Sequence, residues 1–239
     1  MDALIEFTTG PLFRLAFAIC LFGLVRVLLL SVSDIYMMLR RAGERNVPWG
    51  DLFRTTVSWF VPVKHIPKHR TMYSLVSILF HAGLILVPLF YSSHVILWDK
   101  NTGLSWGFWM PQTLAHILTL TTIGGGIYLL LARALNDASR HISRGPDYFF
   151  VSLLLVPFIT GIFMTNVVLA ANVYQWMMML HALSAVLILV LIPFTKIAHV
   201  ALFPLGRYIA AAAWKFPKGA GDKVMATLGR EKMREEIPA

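Results

Sequence analysis

His181 and His199 stand eighteen residues apart in one long apolar segment, WMMMLHALSAVLILVLIPFTKIAHVALF. An α-helix returns to the same azimuth after eighteen residues, so a helix through this segment presents both imidazoles on one face, about 27 Å apart along its axis. That is nearly the thickness of the hydrocarbon core of a bilayer. An imidazole in lipid costs free energy unless it finds a partner, and the iron of a b-type haem is the partner that would use both. Three more histidines fall within or at the edge of apolar stretches. His81 and His94 share one stretch, and His116 enters the next. Polar groups at such depth are functional candidates.

The elements that must position these residues follow from composition. Hydrophobic residues make up 57% of the 239 residues and charged ones 14%, with a mean hydropathy of +0.68. These values describe an integral membrane protein rather than a soluble domain. Apolar runs at about Pro11 to Val32, Met72 to Leu97, Pro111 to Leu135, Tyr148 to Ala171 and Trp176 to Phe203 are each long enough to span as a helix. The fold expected is an all-α bundle of five transmembrane helices over residues 1–210, with a C-terminal tail at 211–239. Lys and Arg concentrate in Met38 to Arg70, Arg133 to Arg144 and the tail, against only Lys100 in the opposite connections. The positive-inside rule then puts the N-terminus outside and the C-terminus in the cytoplasm. The N-terminal segment lacks the basic start and cleavage site of a secretory signal and reads as a retained helix. The net charge of +9 speaks of orientation and lipid headgroups, not of nucleic acid. The single Cys20 excludes an intrachain disulfide and the paired-cysteine motif of covalent haem attachment.

With the second and fifth helices antiparallel, His81 is level with His199 toward the cytoplasm, and His94 with His181 toward the outside. Two facing pairs make two bis-histidine sites. His81 and His94 are thirteen residues apart, about 220° around a straight helix, with Pro88 between them to kink it. His116, at similar depth on the neighbouring span, is the alternative to His94.

Other polar or unusual residues have two readings each. Arg26, deep in the first span, either pairs with a haem propionate or snorkels to the membrane edge. Gly124, Gly125 and Gly126 suit close helix packing or the approach of a haem plane. Asp147 is placed to cap the N-terminus of the fourth helix. Met177, Met178 and Met179 read as apolar filler. Trp98, Trp106, Trp109 and Trp176 fall where an aromatic belt is expected. His65 and His69 sit in a cationic, aromatic stretch suited to the headgroups, and His141 in a short exposed loop.

The pattern LFH in the second span followed by a second histidine, with LH-x17-H in the fifth ending PFTKIAHVALFPLGRYI, resembles the γ subunit of respiratory nitrate reductase. It is equally similar to the cytochrome b subunits of heterodisulfide-reductase-like and sulfate-reducer membrane complexes. The resemblance implies that His81 and His199 ligate a cytoplasmic-side haem b, and that His94 and His181 ligate an outer one. It supports Arg26 as a propionate partner. It further implies exchange of quinone or menaquinone near the outer haem and an iron–sulfur subunit docked on the cytoplasmic face; this chain's own His116 could act at the quinone site by moving a proton. The expected location is a prokaryotic cytoplasmic (inner) membrane. A bis-histidine iron has no open coordination position and so transfers electrons. With no nucleotide motif or cysteine cluster of its own, the chain reads as a subunit. The rival readings are a transporter built on Arg26 and His116, a haem-free anchor, and the cytochrome b subunits of formate dehydrogenase or uptake hydrogenase.

Overall fold

The structure is a computed structural model that describes residues 1–42, 49–58, 71–215, 226–227 and 229. Among these residues it is all-helical. Helix α1 (Asp2–Phe7) runs through a π-helical turn (Thr8–Leu12) into α2 (Phe13–Ala42). The remaining helices are α3 (Trp49–Ser58), α4 (Thr71–Phe90), α5 (Ser92–Thr102), α6 (Gln112–Leu135), α7 (Asp137–Ile142), α8 (Gly145–Asn166), α9 (Ala171–Leu191) and α10 (His199–Lys215). Five stretches are long and apolar enough to cross a membrane: Asp2–Arg40, Thr71–Phe90, Gln112–Leu135, Gly145–Asn166 and Ala171–Phe194. The chain is thus a multi-pass membrane protein. Its exposed Phe22, Leu29 and Leu131 are what a lipid solvent requires.

Two compact units divide the chain: residues 1–23 with 66–197, and residues 24–65 with 198–239. In the first, α4 packs on α6, α6 on α8, α8 on α9, and α9 on α1 and the π-turn. Lipid tails are as apolar as leucine, so helices in a membrane associate through close packing, and small residues permit it. At Gly83 a Cβ would overlap Thr122 Oγ1 and stand 2.8 Å from the Leu118 carbonyl oxygen. Gly125 faces Val76 and Phe80, and Gly126 faces Phe80 and Leu155. Gly124 has nothing within 4 Å, so two members of the triplet serve packing and the third does not. Phe80, Leu129 and Leu155 bury one another along this α4–α6–α8 seam. A second cluster, Phe13, Ala16 and Val186 with Leu97 and Trp98, joins the start of α2 to α5 and α9. The buried hydroxyls of Thr119, Thr122 and Thr160 each donate to a carbonyl one turn earlier, at 2.8, 2.6 and 2.8 Å, which satisfies each O–H within its own helix.

Asp147 ties one end of this unit together. Its carboxylate accepts the Arg144 backbone N–H at 2.9 Å at the start of α8, the cap expected from sequence. The other carboxylate oxygen pairs with Lys196 Nζ at 2.6 Å, and Arg133 near the end of α6 donates to the Asp147 carbonyl at 3.1 Å.

Two expected helices are broken. The second span does not carry His81 and His94 on one helix, because α4 stops at Phe90 and Tyr91 turns extended (φ −68°, ψ 136°) before α5. The fifth span does not continue to Phe203. Helix α9 stops at Leu191, short 3-10 turns cover Ile192–Phe194 and Lys196–Ala198, and Thr195 between them is extended (φ −131°, ψ −178°). Pro193 has no N–H to continue the ladder, and the Thr195 hydroxyl takes the Leu191 carbonyl at 2.8 Å. His199 begins a new helix in the second unit, so His181 and His199 do not share one helical face. In that second unit α3 packs on α10, with Trp49 stacked on Tyr208 at 5.9 Å. Much of the cationic stretch, including His65 and His69, and nearly all of the tail lie outside the described residues.

Candidate functional site

The end of α4 shows how the break builds a site. A helix leaves its last four carbonyls without intrahelical partners, and in a membrane each must be satisfied by protein. Here the chain that follows supplies the donors. The Val87 carbonyl accepts Tyr91 N–H at 3.1 Å and His94 Nδ1–H at 3.0 Å. Those of Pro88 and Leu89 accept the indole N–H of Trp98 and Trp106, each at 3.0 Å. Phe90 accepts Met110 N–H at 2.8 Å. Trp98 also packs edge-on against Phe13 and Phe17, with centroids at 5.1 and 5.3 Å. Helix α5 is thereby held against both α4 and α2. It ends at Gly103, whose φ of 72° is the left-handed conformation of a helix C-cap.

This arrangement brings His94 to His181. Their ring centroids are 6.0 Å apart and their planes lie within 13° of parallel. His181 Nδ1 is 2.9 Å from the Pro157 carbonyl of α8, with Thr160 Oγ1 at 3.2 Å. Gly161, on the next residue of α8, leaves room for the ring: a Cβ there would be 3.3 Å from His181 Cε1. A carbonyl oxygen only accepts, so in both histidines the proton sits on Nδ1 and the lone pair on Nε2. Holding one ring nitrogen on a backbone carbonyl is how a metal-ligating imidazole is oriented and its tautomer chosen. No cluster of three or more His, Cys, Asp or Glu able to hold a metal occurs among the described residues.

The other predicted residues are placed as follows. His81 is exposed on α4 with Nδ1 donating to the Ser77 carbonyl at 2.7 Å. His199 is exposed at the start of α10, and Arg26 is exposed on α2, both in the second unit. His116, near the start of α6, is half-buried, and its Nε2 is buried with no hydrogen-bond partner among the described residues. It is His94, not His116, that meets His181. Met179 is buried, and its sulfur takes the Thr8 hydroxyl at 3.7 Å, a packing role. Sequence reasoning missed the supports of the pair, Trp98, Trp106, Thr160 and Gly161. The tryptophans look like belt residues until their indole N–H groups are seen on the α4 carbonyls.

A protein from Nitratidesulfovibrio vulgaris is similar to this chain, 26% identical over 205 residues that cover 84% of this chain and 89% of that protein. No protein-family model and no solved structure matches it.

Proposed function

We propose that this chain is a di-haem b subunit of a respiratory redox complex, passing electrons between the membrane quinone pool and an iron–sulfur partner on the cytoplasmic face. The observation that carries the reading is the His94–His181 pair. An iron between two imidazoles at metal–nitrogen distances of about 2 Å sets the ring centroids about 6 Å apart, and these centroids are 6.0 Å apart. The residues thus fit a bis-histidine haem, which would supply reversible one-electron transfer. His94 and His181 would hold it, each oriented by the carbonyl on its Nδ1. The family resemblance assigns a second haem to His81 and His199, and a propionate contact to Arg26. It also supports the nitrate-reductase-γ-like kinship, the cytoplasmic (inner) membrane location and quinone exchange near the outer site; His116, from its depth and the near-neutral titration of imidazole, would carry the proton there. The concentration of Lys and Arg in alternate connections supports an outside N-terminus.

The test is a reduced-minus-oxidised spectrum with haem quantified per chain, on wild type and single variants. Two b haems are expected, with His94→Ala and His181→Ala each losing the same one and His116→Ala losing neither. No haem in gently prepared membranes overturns the redox reading in favour of a transporter or anchor. Loss with His116→Ala and not with His94→Ala overturns the ligand assignment.

A further inference from the structure

Helix α3 leaves half of its apolar face uncovered. Thr56 is buried, and Trp49 lays its ring on Tyr208 of α10 with the planes within 21° of parallel. These two residues are seven apart, within about 20° of one azimuth on a helix, and mark the side that α10 covers. Phe53 and Val57 follow round the helix, about 40° and 80° from Trp49, and are 72% and 45% exposed. Trp49 is itself 58% exposed, so the three form one apolar stripe beside the covered side. Arg54 and Ser58, also exposed, lie further round, about 140° and 180° from Trp49.

We propose that this stripe is seated in the boundary between headgroups and acyl chains, so that α3 lies along an anionic phospholipid surface with its partner helix α10 beside it. The surface and its occupant are independent of the redox reading.

Connectivity is the first argument. The ten residues of α3 make a helix about 15 Å long, half the hydrocarbon thickness of about 30 Å, so α3 cannot cross the membrane. The chain nevertheless comes to it from one span, Asp2–Arg40, and goes from it to the next, Thr71–Phe90. Its partner α10 starts at His199, five residues after the last span closes at Phe194, and exposes Val200 and Ile209. The second argument is the face itself. A short helix with aromatic and aliphatic residues on one side and polar ones on the other rests about 5–10 Å into the interface, and a tryptophan on that stripe belongs at headgroup level. Charge is the third. Residues 43–70 hold Arg45, Arg54, Lys64, Lys68 and Arg70 against Glu44 and Asp51, and basic residues next to a span are drawn to anionic lipid.

The test uses the full chain in nanodiscs of phosphatidylglycerol and phosphatidylethanolamine. The buried Cys20 is replaced by alanine, and a nitroxide is placed on one new cysteine at a time: Phe53→Cys, Arg54→Cys, Val57→Cys or Ser58→Cys. Electron paramagnetic resonance then reads collisions with oxygen, which concentrates in the bilayer, and with a water-soluble nickel chelate. The oxygen-to-nickel ratio is expected to be at least fivefold higher at Phe53 and Val57 than at Arg54 and Ser58. It should fall at least twofold at Phe53 and Val57 when phosphatidylcholine replaces phosphatidylglycerol. Similar ratios at all four positions, with nickel reaching each, put the stripe in water and overturn the proposal. Weak collision with both reagents at Phe53 and Val57 also overturns it, in favour of a second copy of the chain covering the stripe. A ratio indifferent to phosphatidylcholine overturns the choice of anionic lipid. Should Phe53→Cys fail to fold, Val57→Cys against Ser58→Cys decides.

Discussion

Replacing Gly83 by alanine tests the packing that holds the site. A Cβ at this position would overlap Thr122 Oγ1 and stand 3.1 Å from Thr122 Cβ and 2.8 Å from the Leu118 carbonyl oxygen. The hydroxyl can rotate away, at the loss of its 2.6 Å bond to Leu118, worth about 1 kcal/mol. The carbonyl belongs to the backbone of α6 and cannot, so the helices must part by about 0.6 Å to reach an ordinary contact of 3.4 Å. Overpacking of this kind costs about 1–3 kcal/mol, offset by about 0.5–1 kcal/mol of improved helix propensity. The net loss is about 2–3 kcal/mol, which for a chain of this size lowers Tm by roughly 5–10 °C. Gly124→Ala is the internal control: with nothing within 4 Å, only the propensity gain remains and Tm holds or rises. The damage should also reach the site, because Gly83 lies one turn before Val87, whose carbonyl holds His94. Thermal unfolding of the purified protein in detergent, followed by circular dichroism, measures both variants. A Gly83→Ala melt within 2 °C of wild type refutes the close α4–α6 crossing, and Thr122→Ala added to Gly83→Ala should recover part of the loss.

Two further substitutions address the caps. Trp98→Phe keeps a ring against Phe13 and Phe17 and deletes the N–H on the Pro88 carbonyl. The orphaned carbonyl costs about 1–3 kcal/mol, and with haem held by His94 as proposed, the loosened ligand should let the reduced protein bind carbon monoxide; an unaltered melt and no carbon monoxide difference spectrum count against that positioning role. At the other end of the unit, Lys196→Met should lower Tm less than Asp147→Ala. The lysine side chain is 69% exposed, so its ion pair is screened, whereas Asp147 also caps α8; equal losses, or a Lys196→Met effect that grows with salt, contradict this.

The spans are legible in the sequence because each is an unbroken apolar run, and lipid permits only a helix there. The breaks are not. Pro88 and Pro193 lie close to helix ends, yet Pro157 and Pro204 sit inside α8 and α10 without ending them. A proline removes one donor, and whether the helix stops depends on who takes the freed carbonyls. For α4 the takers are Trp98, Trp106 and Met110, up to twenty residues on, and no local pattern announces them. The same limit applies to the site. Imidazoles at matched depth on two spans are visible from spacing and helix direction, but the sequence leaves His94 and His116 open as the partner of His181, and only the break after Phe90 brings His94 to it. Thr160 and Gly161 become part of it only through the α8–α9 contact.

The structural needs of a broken membrane helix and the needs of a metal ligand coincide at His94. A helix end in lipid must find N–H donors, and an imidazole that donates from Nδ1 satisfies one carbonyl while placing its lone pair on Nε2. Capping alone explains that bond, as it explains the two indole bonds beside it. It does not explain why His181, on another helix, donates its own Nδ1–H to a carbonyl of α8 and meets the His94 ring at 6.0 Å. Two imidazoles with the same tautomer are each fixed by a carbonyl of a different helix, with their planes within 13° of parallel. The bis-histidine coordination proposed above would use both rings as they stand, each already held by the hydrogen bond on its other nitrogen.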